Sequence, residues 1–311
     1  AISSKLEDVE RSFCEYCCMV MKNFILKYEH LLGSDIWKVV NPDETNPRQM
    51  LSALKEYVSR TDCPRIYLLI DEYDNFTNTI LSSYGQERYR EKTHGEGFIR
   101  GFFNNIKDST SNAGAAVERL FITGVSPITM DDVTSGFNIG TNISMLPQFN
   151  DIIGFSEDEV RKMITYYKDE NALPEDVTVD RLVELMKPWY DNYCFAKASL
   201  KTDPRMFNCD MTLYYLRHRV NFDASPEELV DKNIRTDYSK LKMLARLDHE
   251  NVSGGDRMST IEEIAAKGEI LVNLHTSFPA EKIVETDNFR SLLYYYGLLT
   301  MCGTRGDRIV M

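Results

Sequence analysis

The chain has 311 residues, 43% of them hydrophobic and 27% charged, with a formal net charge of −12. That is the make-up of a soluble globular protein with room for two domains. The acidic balance argues against a surface devoted to nucleic acid, and no stretch approaches the ~18 consecutive apolar residues of a membrane span. Seven cysteines, an odd number, and an opening "AISSKLEDVERSF" without an apolar signal core fit reduced thiols in the cytoplasm.

In chain order, the first predicted element is a long amphipathic helix. Leu6, Val9, Phe13, Cys17, Val20, Phe24, Tyr28 and Leu31 recur at helical steps and mark one expected buried face. Ser4 with Glu7 makes a capping box, and Gly33 a stop. Cys14 and Cys17 form a C-x-x-C, but without a second pair they read as buried thiols rather than zinc ligands. A second helix opens at Asn46-Pro47 and runs to about Arg60. Ile66 to Ile70 is a short, continuous apolar run, the pattern of a strand buried on both faces of a parallel sheet.

The charged stretch "YGQERYREKTHGEG" reads as a loop, followed by a helix from about Glu96 to Lys107. "RLFITGVSP", Arg119 to Pro127, is a second buried strand, and "TNISMLP", Thr141 to Pro147, a weaker third. Helix, strand, helix, strand is the rhythm of an α/β layer. After Phe155 the character changes. Ser156 and Glu159 form a capping box opening "SEDEVRKMITYYKDE", and most of the remaining chain reads helical, interrupted by "PWYDNYCF". The end differs again: "DNFRSLLYYYGLL" is a helix, and "LLTMC" and "DRIVM" are strand-like runs separated by "GTRG". A helix followed by a hairpin is the shape of a winged helix.

The chemistry concentrates in "RIYLLIDEYDNF", Arg65 to Phe76. The apolar strand ends abruptly in Asp71 and Glu72, with Asp74 two residues on. A carboxylate fixed at a strand end suits Mg2+, and a neighbouring one can activate water. In open parallel sheets ligands bind above the C-terminal strand edge. Asp71 is therefore the candidate Mg2+ ligand, Glu72 the candidate general base, and Asp74, with Asp71, a candidate nucleotide-binding residue. "FITGVSP" ends in Thr123 and Ser126, hydroxyls where a sensor of the γ-phosphate or attacking water would stand. The competing reading is that acids follow a buried strand because the chain returns to water.

The other half of such a site, G-x-x-x-x-G-K-[ST], is missing: none of the 16 glycines precedes a lysine. "GEGFIRG" follows a charged loop and offers Arg100 instead. "DEYD" matches the D-E-x-D box of helicases, but the rest of a helicase core is absent.

The order "YLLIDEYDNF", "FITGVSP", "NISMLPQFNDIIGFSEDEV", "WYDNYCF" and "FRSLLYYYGLLT" resembles the predicted AAA-ATPase-like family of bacterial proteins. The resemblance implies a P-loop ATPase region over residues 1–155, with Asp71 and Glu72 as Walker B acids and Thr123 and Ser126 as sensors. A helical lid with a winged-helix-like end would occupy residues 156–311. The implied fold is α/β followed by mostly α, around an incomplete P-loop NTPase-like parallel sheet. ATP and Mg2+ are the implied cofactors, both expected only with the Walker A segment present. By resemblance that loop lies upstream of Ala1 and a PD-(D/E)XK nuclease-like domain beyond Met311. The chain is then expected to be the middle of a longer protein, inactive by itself as an ATP hydrolase. Nucleic acid, through the nuclease-like domain, and self-association are the partners this suggests.

Trp189, Tyr190, Asp191 and Phe195 match the family's "WYDGYxF"-type segment, with Asn192 for the usual glycine. "MFNCDMTLYYL", Met206 to Leu216, departs from "YNPxS" at Cys209, which leaves Asn208 without an assigned role. Arg100 and Arg205 are candidates for an arginine finger. Near the hairpin, Arg290, Arg305 and Arg308 are too few for a DNA-reading surface, and "RGD" reads as a tight turn. The alternative to an ATPase module is a non-catalytic scaffold, binding protein or nucleic acid through the lid and winged-helix region.

Overall fold

The computed structural model describes residues 6–95, 97–110, 115–125, 127–128, 140–202, 205–231 and 255–311. The protein is mixed α/β and mostly helical, with a small parallel sheet. It divides into two compact units: the first includes Ala1–Thr141 and His275–Asn288, the second Asn142–Tyr238, Ser253–Leu274 and Phe289–Met311.

The first unit opens with α1 (Leu6–Leu32). Its core-facing residues are Cys18, Ile25 and Leu32, with Met21, Phe24 and Tyr28 beside them. Of the expected face, Val9 is buried and Phe24 and Tyr28 pack beside the core, whereas Val20 and Leu31 are 44% and 49% exposed. The expected capping residue Ser4 lies outside the described residues. Gly33 ends the helix at φ 84°, and the Tyr57 hydroxyl donates to the Leu32 carbonyl at 2.6 Å.

α2 (Pro47–Arg60) starts as expected, with Pro in the first turn and the Asn46 side chain accepting from the Arg48 amide at 3.0 Å. It places Met50, Leu54, Tyr57 and Val58 in the core. β1 (Ile66–Ile70) follows, then α3 (Asn75–Thr93), α4 (Phe98–Thr110) and β2 (Val117–Ile122). The charged stretch expected as a loop is the second half of α3. Helix-forming residues and the Arg88–Glu91 pair at 2.8 Å carry it, and Gly85 at φ 82° breaks the helix in the middle. Phe13 of α1 packs with Phe76, Phe98 and Phe102 at 4.9, 5.6 and 5.4 Å between ring centres, anchoring the first turns of α3 and α4. Asn105 of α4 accepts from Lys55 at 2.6 Å and donates to the Arg48 carbonyl at 2.8 Å, tying α4 to α2.

β1 and β2 pair in parallel, with Leu68 opposite Leu120, Leu69 opposite Phe121 and Ile70 opposite Ile122. Ile66 and Val117 lie in the core formed with α1 and α2. The opposite face is open: Tyr67 is 62%, Leu69 75% and Phe121 44% exposed. The expectation of strands buried on both faces is therefore corrected. The helices that make this core cover one side, and the apolar run reflected hydrophobicity, not two-sided burial.

In the second unit the weak third strand does not form. Thr141 to Pro147 is a turn, with the Asn142 side chain accepting from the Ser144 amide at 3.0 Å. α5 (Glu157–Asp169) begins at the expected capping box, Ser156 and Glu159 bonding reciprocally. With α6 (Val179–Tyr190) and α7 (Cys209–Phe222) it buries Val160, Ile164, Leu182, Met186, Tyr190, Tyr215 and Leu216. β3 (Asp191–Tyr193) pairs antiparallel with β4 (Met206–Phe207). Asn208 caps α7, accepting from the Met211 amide at 3.0 Å. α8 (Gly255–Lys267), β5 (Leu271–Val272), α9 (Thr286–Tyr295), β6 (Gly303–Arg305) and β7 (Arg308–Val310) complete the chain. The antiparallel strand order is β5-β7-β6. The hairpin turns at Gly306, φ 62°, as "RGD" suggested. Its first strand falls on Gly303–Arg305 rather than on "LLTMC".

Candidate functional site at the strand ends

The parallel ladder continues past both strands. The Thr123 amide donates to the Ile70 carbonyl at 2.8 Å, and the Tyr73 amide to the Thr123 carbonyl at 3.0 Å. The two exits are thus held side by side on the C-terminal edge of the sheet, where open parallel sheets place ligands. Asp71 and Glu72 are both exposed there. The Thr123 hydroxyl donates to Asp71 Oδ1 at 2.5 Å, which fixes the carboxylate at the rim.

Glu72 has φ 52°, the left-handed region that a side-chain-bearing residue occupies at a cost. Its side chain is exposed next to that of Asp71. The Asn75 side chain donates to Glu72 Oε2 at 3.0 Å. The same left-handed turn lets α3 start at once.

Asp74 behaves differently from its neighbours. It is 3% exposed, and both carboxylate oxygens accept from the Val125 amide at 3.2 Å. Asp74 Oδ2 also accepts from the Asn78 side chain at 2.8 Å. Gly124, between Thr123 and Val125, is pressed against this corner. A Cβ there would come within 2.1 Å of the Tyr73 ring and 2.7 Å of Asp74 Oδ1. The carboxylate of Asp74, a candidate nucleotide-binding residue, faces the loop after β2. The geometric need for Gly124 was invisible beforehand, because it depends on a residue fifty positions upstream. Ser126, the second sensor candidate, lies outside the described residues.

The donor set bears on which cation fits. Among the described residues no group of three or more His, Cys, Asp or Glu converges on one point, so no all-protein cage is present. One rigid carboxylate with a second beside it is what Mg2+ uses when phosphates and water supply its remaining ligands. The residues present fit that group. Cys14 and Cys17 are half-buried, and burial pushes the Cys17 thiol up to about 12.

The other candidates fall elsewhere. Arg100 is half-buried on α4 and Arg205 is exposed in the second unit. Tyr190 is buried and donates to the Leu229 carbonyl at 2.6 Å, while Trp189 is 57% exposed. Tyr193 and Phe195 stack at 6.1 Å. Arg290 bonds Glu263 and the Leu271 carbonyl, each at 2.8 Å, and Arg305 bonds Glu269 at 2.9 Å. Both arginines thus have acidic partners within the fold. His94 meets Thr93 at 2.9 Å, and Glu96 lies outside the described residues. Among the described residues no helix is long and apolar enough to cross a membrane.

No curated protein and no solved structure matches the chain. A family model does: the AAA-ATPase-like family, described as predicted AAA-ATPase, matches residues 1–134, the part that carries β1, β2 and the acidic strand end. The similarity to that family is confined to residues 1–134, less than half of the chain.

Proposed function

We propose that the crevice is the cation and water side of an ATP site, and that the protein binds and hydrolyses ATP with Mg2+. The observation that carries this reading is the pairing of Asp71 with Thr123 across two adjacent parallel strand ends. Asp71 holds the cation, and Glu72, free of the strand and exposed beside it, takes the proton of the attacking water. Bound Mg2+ supplies neutralisation of phosphate charge. Thr123 holds Asp71 in one orientation, so that the site needs little reorganisation when charge develops.

Residues 156–311 make a helical lid with a winged-helix-like end in this reading. The order α8, β5, α9, β6, β7 and the sheet order β5-β7-β6 support it. Arg290 and Arg305 are engaged within the fold by their bonds to Glu263, the Leu271 carbonyl and Glu269.

The test is Glu72→Gln in the full-length protein. Hydrolysis should fall by roughly 10²–10⁴-fold while Mg2+-dependent ATP binding persists. Full turnover in that variant contradicts the assignment.

A non-catalytic scaffold is favoured by two observations: no G-K-[ST] loop occurs in the 311 residues, and the outer sheet face is open and apolar. It predicts that ATP binding is absent with or without Mg2+, which equilibrium dialysis decides.

A further inference from the structure

We infer that Asp74 is a positioning residue, a buried clasp that sets the orientation of Asp71 from the far side of the loop after β2. This rests on the ATP-site reading and adds to it how the crevice is held.

Acids near a strand end usually face water. Asp74 is 3% exposed and gives its carboxylate to the Val125 amide and the Asn78 side chain. Its position is fixed from three sides. The Thr77 hydroxyl donates to its carbonyl at 2.9 Å, and so does the Asn78 amide at 2.8 Å, building it into the first turn of α3. Gly124 leaves room for the side chain to reach Val125.

The consequence runs along the backbone. Val125 held at Asp74 and the Thr123 amide held at Ile70 leave the 123–125 segment little freedom. Thr123 is therefore presented so that its hydroxyl meets Asp71. Asp74 acts on Asp71 through this segment and touches neither cation nor water. Asparagine keeps one acceptor oxygen for the Val125 amide, and its NH2 can be met by the Asn78 amide oxygen once that side chain turns over. A ligand acid would need its charge, so the two roles separate on substitution.

The experiment measures Mn2+·ATP binding to the full-length protein by electron paramagnetic resonance, with Asp71→Ala, Asp74→Ala and Asp74→Asn compared at matched thermal stability. Asp71→Ala should abolish binding. Asp74→Ala should weaken it about tenfold, and Asp74→Asn, which keeps an acceptor, should stay within roughly threefold of the parent. Equal losses in Asp74→Asn and Asp74→Ala overturn the clasp and make Asp74 a ligand; no loss in Asp74→Ala overturns it outright. If Asp71→Ala binds as the parent does, or the parent binds nothing, the ATP-site reading fails instead. Amide hydrogen exchange decides the clasp without any nucleotide. Asp74→Ala should speed exchange at Val125 and Thr123 by about tenfold, with the β1 amides unchanged. Unaltered exchange at both positions overturns it.

Discussion

The two faces of the β1–β2 sheet come from the same two apolar runs and meet opposite surroundings. Ile66 and Val117 lie against α1 and α2, at 8% and 2% exposure, whereas Leu69, next but two to Ile66, is 75% exposed. Hydrophobicity along a strand therefore records what a residue could bury against, and only neighbouring helices determine what it does bury against. The candidate site lies between these faces, at the strand ends. There order comes from polar bonds among Asp71, Thr123, Tyr73, Asp74 and Val125 rather than from packing.

Substitutions should sharpen this contrast. The largest effect is expected under the covered face. Ile25→Ala, at a fully buried position, should cost about 2–5 kcal/mol in urea unfolding, through lost burial and a cavity. A cost below about 1 kcal/mol would mean that the face is not a packed core. Next comes the strand-end corner. Gly124→Ala forces a Cβ into the Tyr73 ring and should cost roughly 1–3 kcal/mol, with ATP binding falling in parallel. Thr123→Val keeps the shape and removes the hydroxyl donated to Asp71. It should change stability by about 1 kcal/mol or less while still weakening Mg2+-dependent ATP binding, because the bond is exposed and its role is orientation. The smallest effect belongs to the open face. Leu69→Lys should leave stability within about 0.5 kcal/mol of the parent. A loss as large as that of Ile25→Ala would show that Leu69 is covered in solution and would break the comparison.

Much of the local architecture was legible in the sequence, and for local reasons. Asn46-Pro47 and Ser156 with Glu159 start helices because their side chains satisfy amides two or three residues away, and "RGD" turns because Gly306 accepts a positive φ. The acidic strand end was legible too, since the change from Ile70 to Asp71 and Glu72 is abrupt. The features that could not be read depended on partners distant in sequence. The exposure of Val20 and Leu31 on α1 was not marked locally, and the second half of α3 was hidden by its charge. The bond of the Thr123 hydroxyl to an acid on the neighbouring strand depends on a partner fifty-two positions away. Asp74 looks like its neighbours in "DEYD" and differs only because Val125 comes to it from β2.

The most direct test of the central claim is calorimetric titration of the full-length protein with ATP, with and without Mg2+, beside the Asp71→Ala variant. The account predicts Mg2+-dependent binding that Asp71→Ala removes. Binding that is indifferent to Asp71, or that needs no Mg2+, would contradict it.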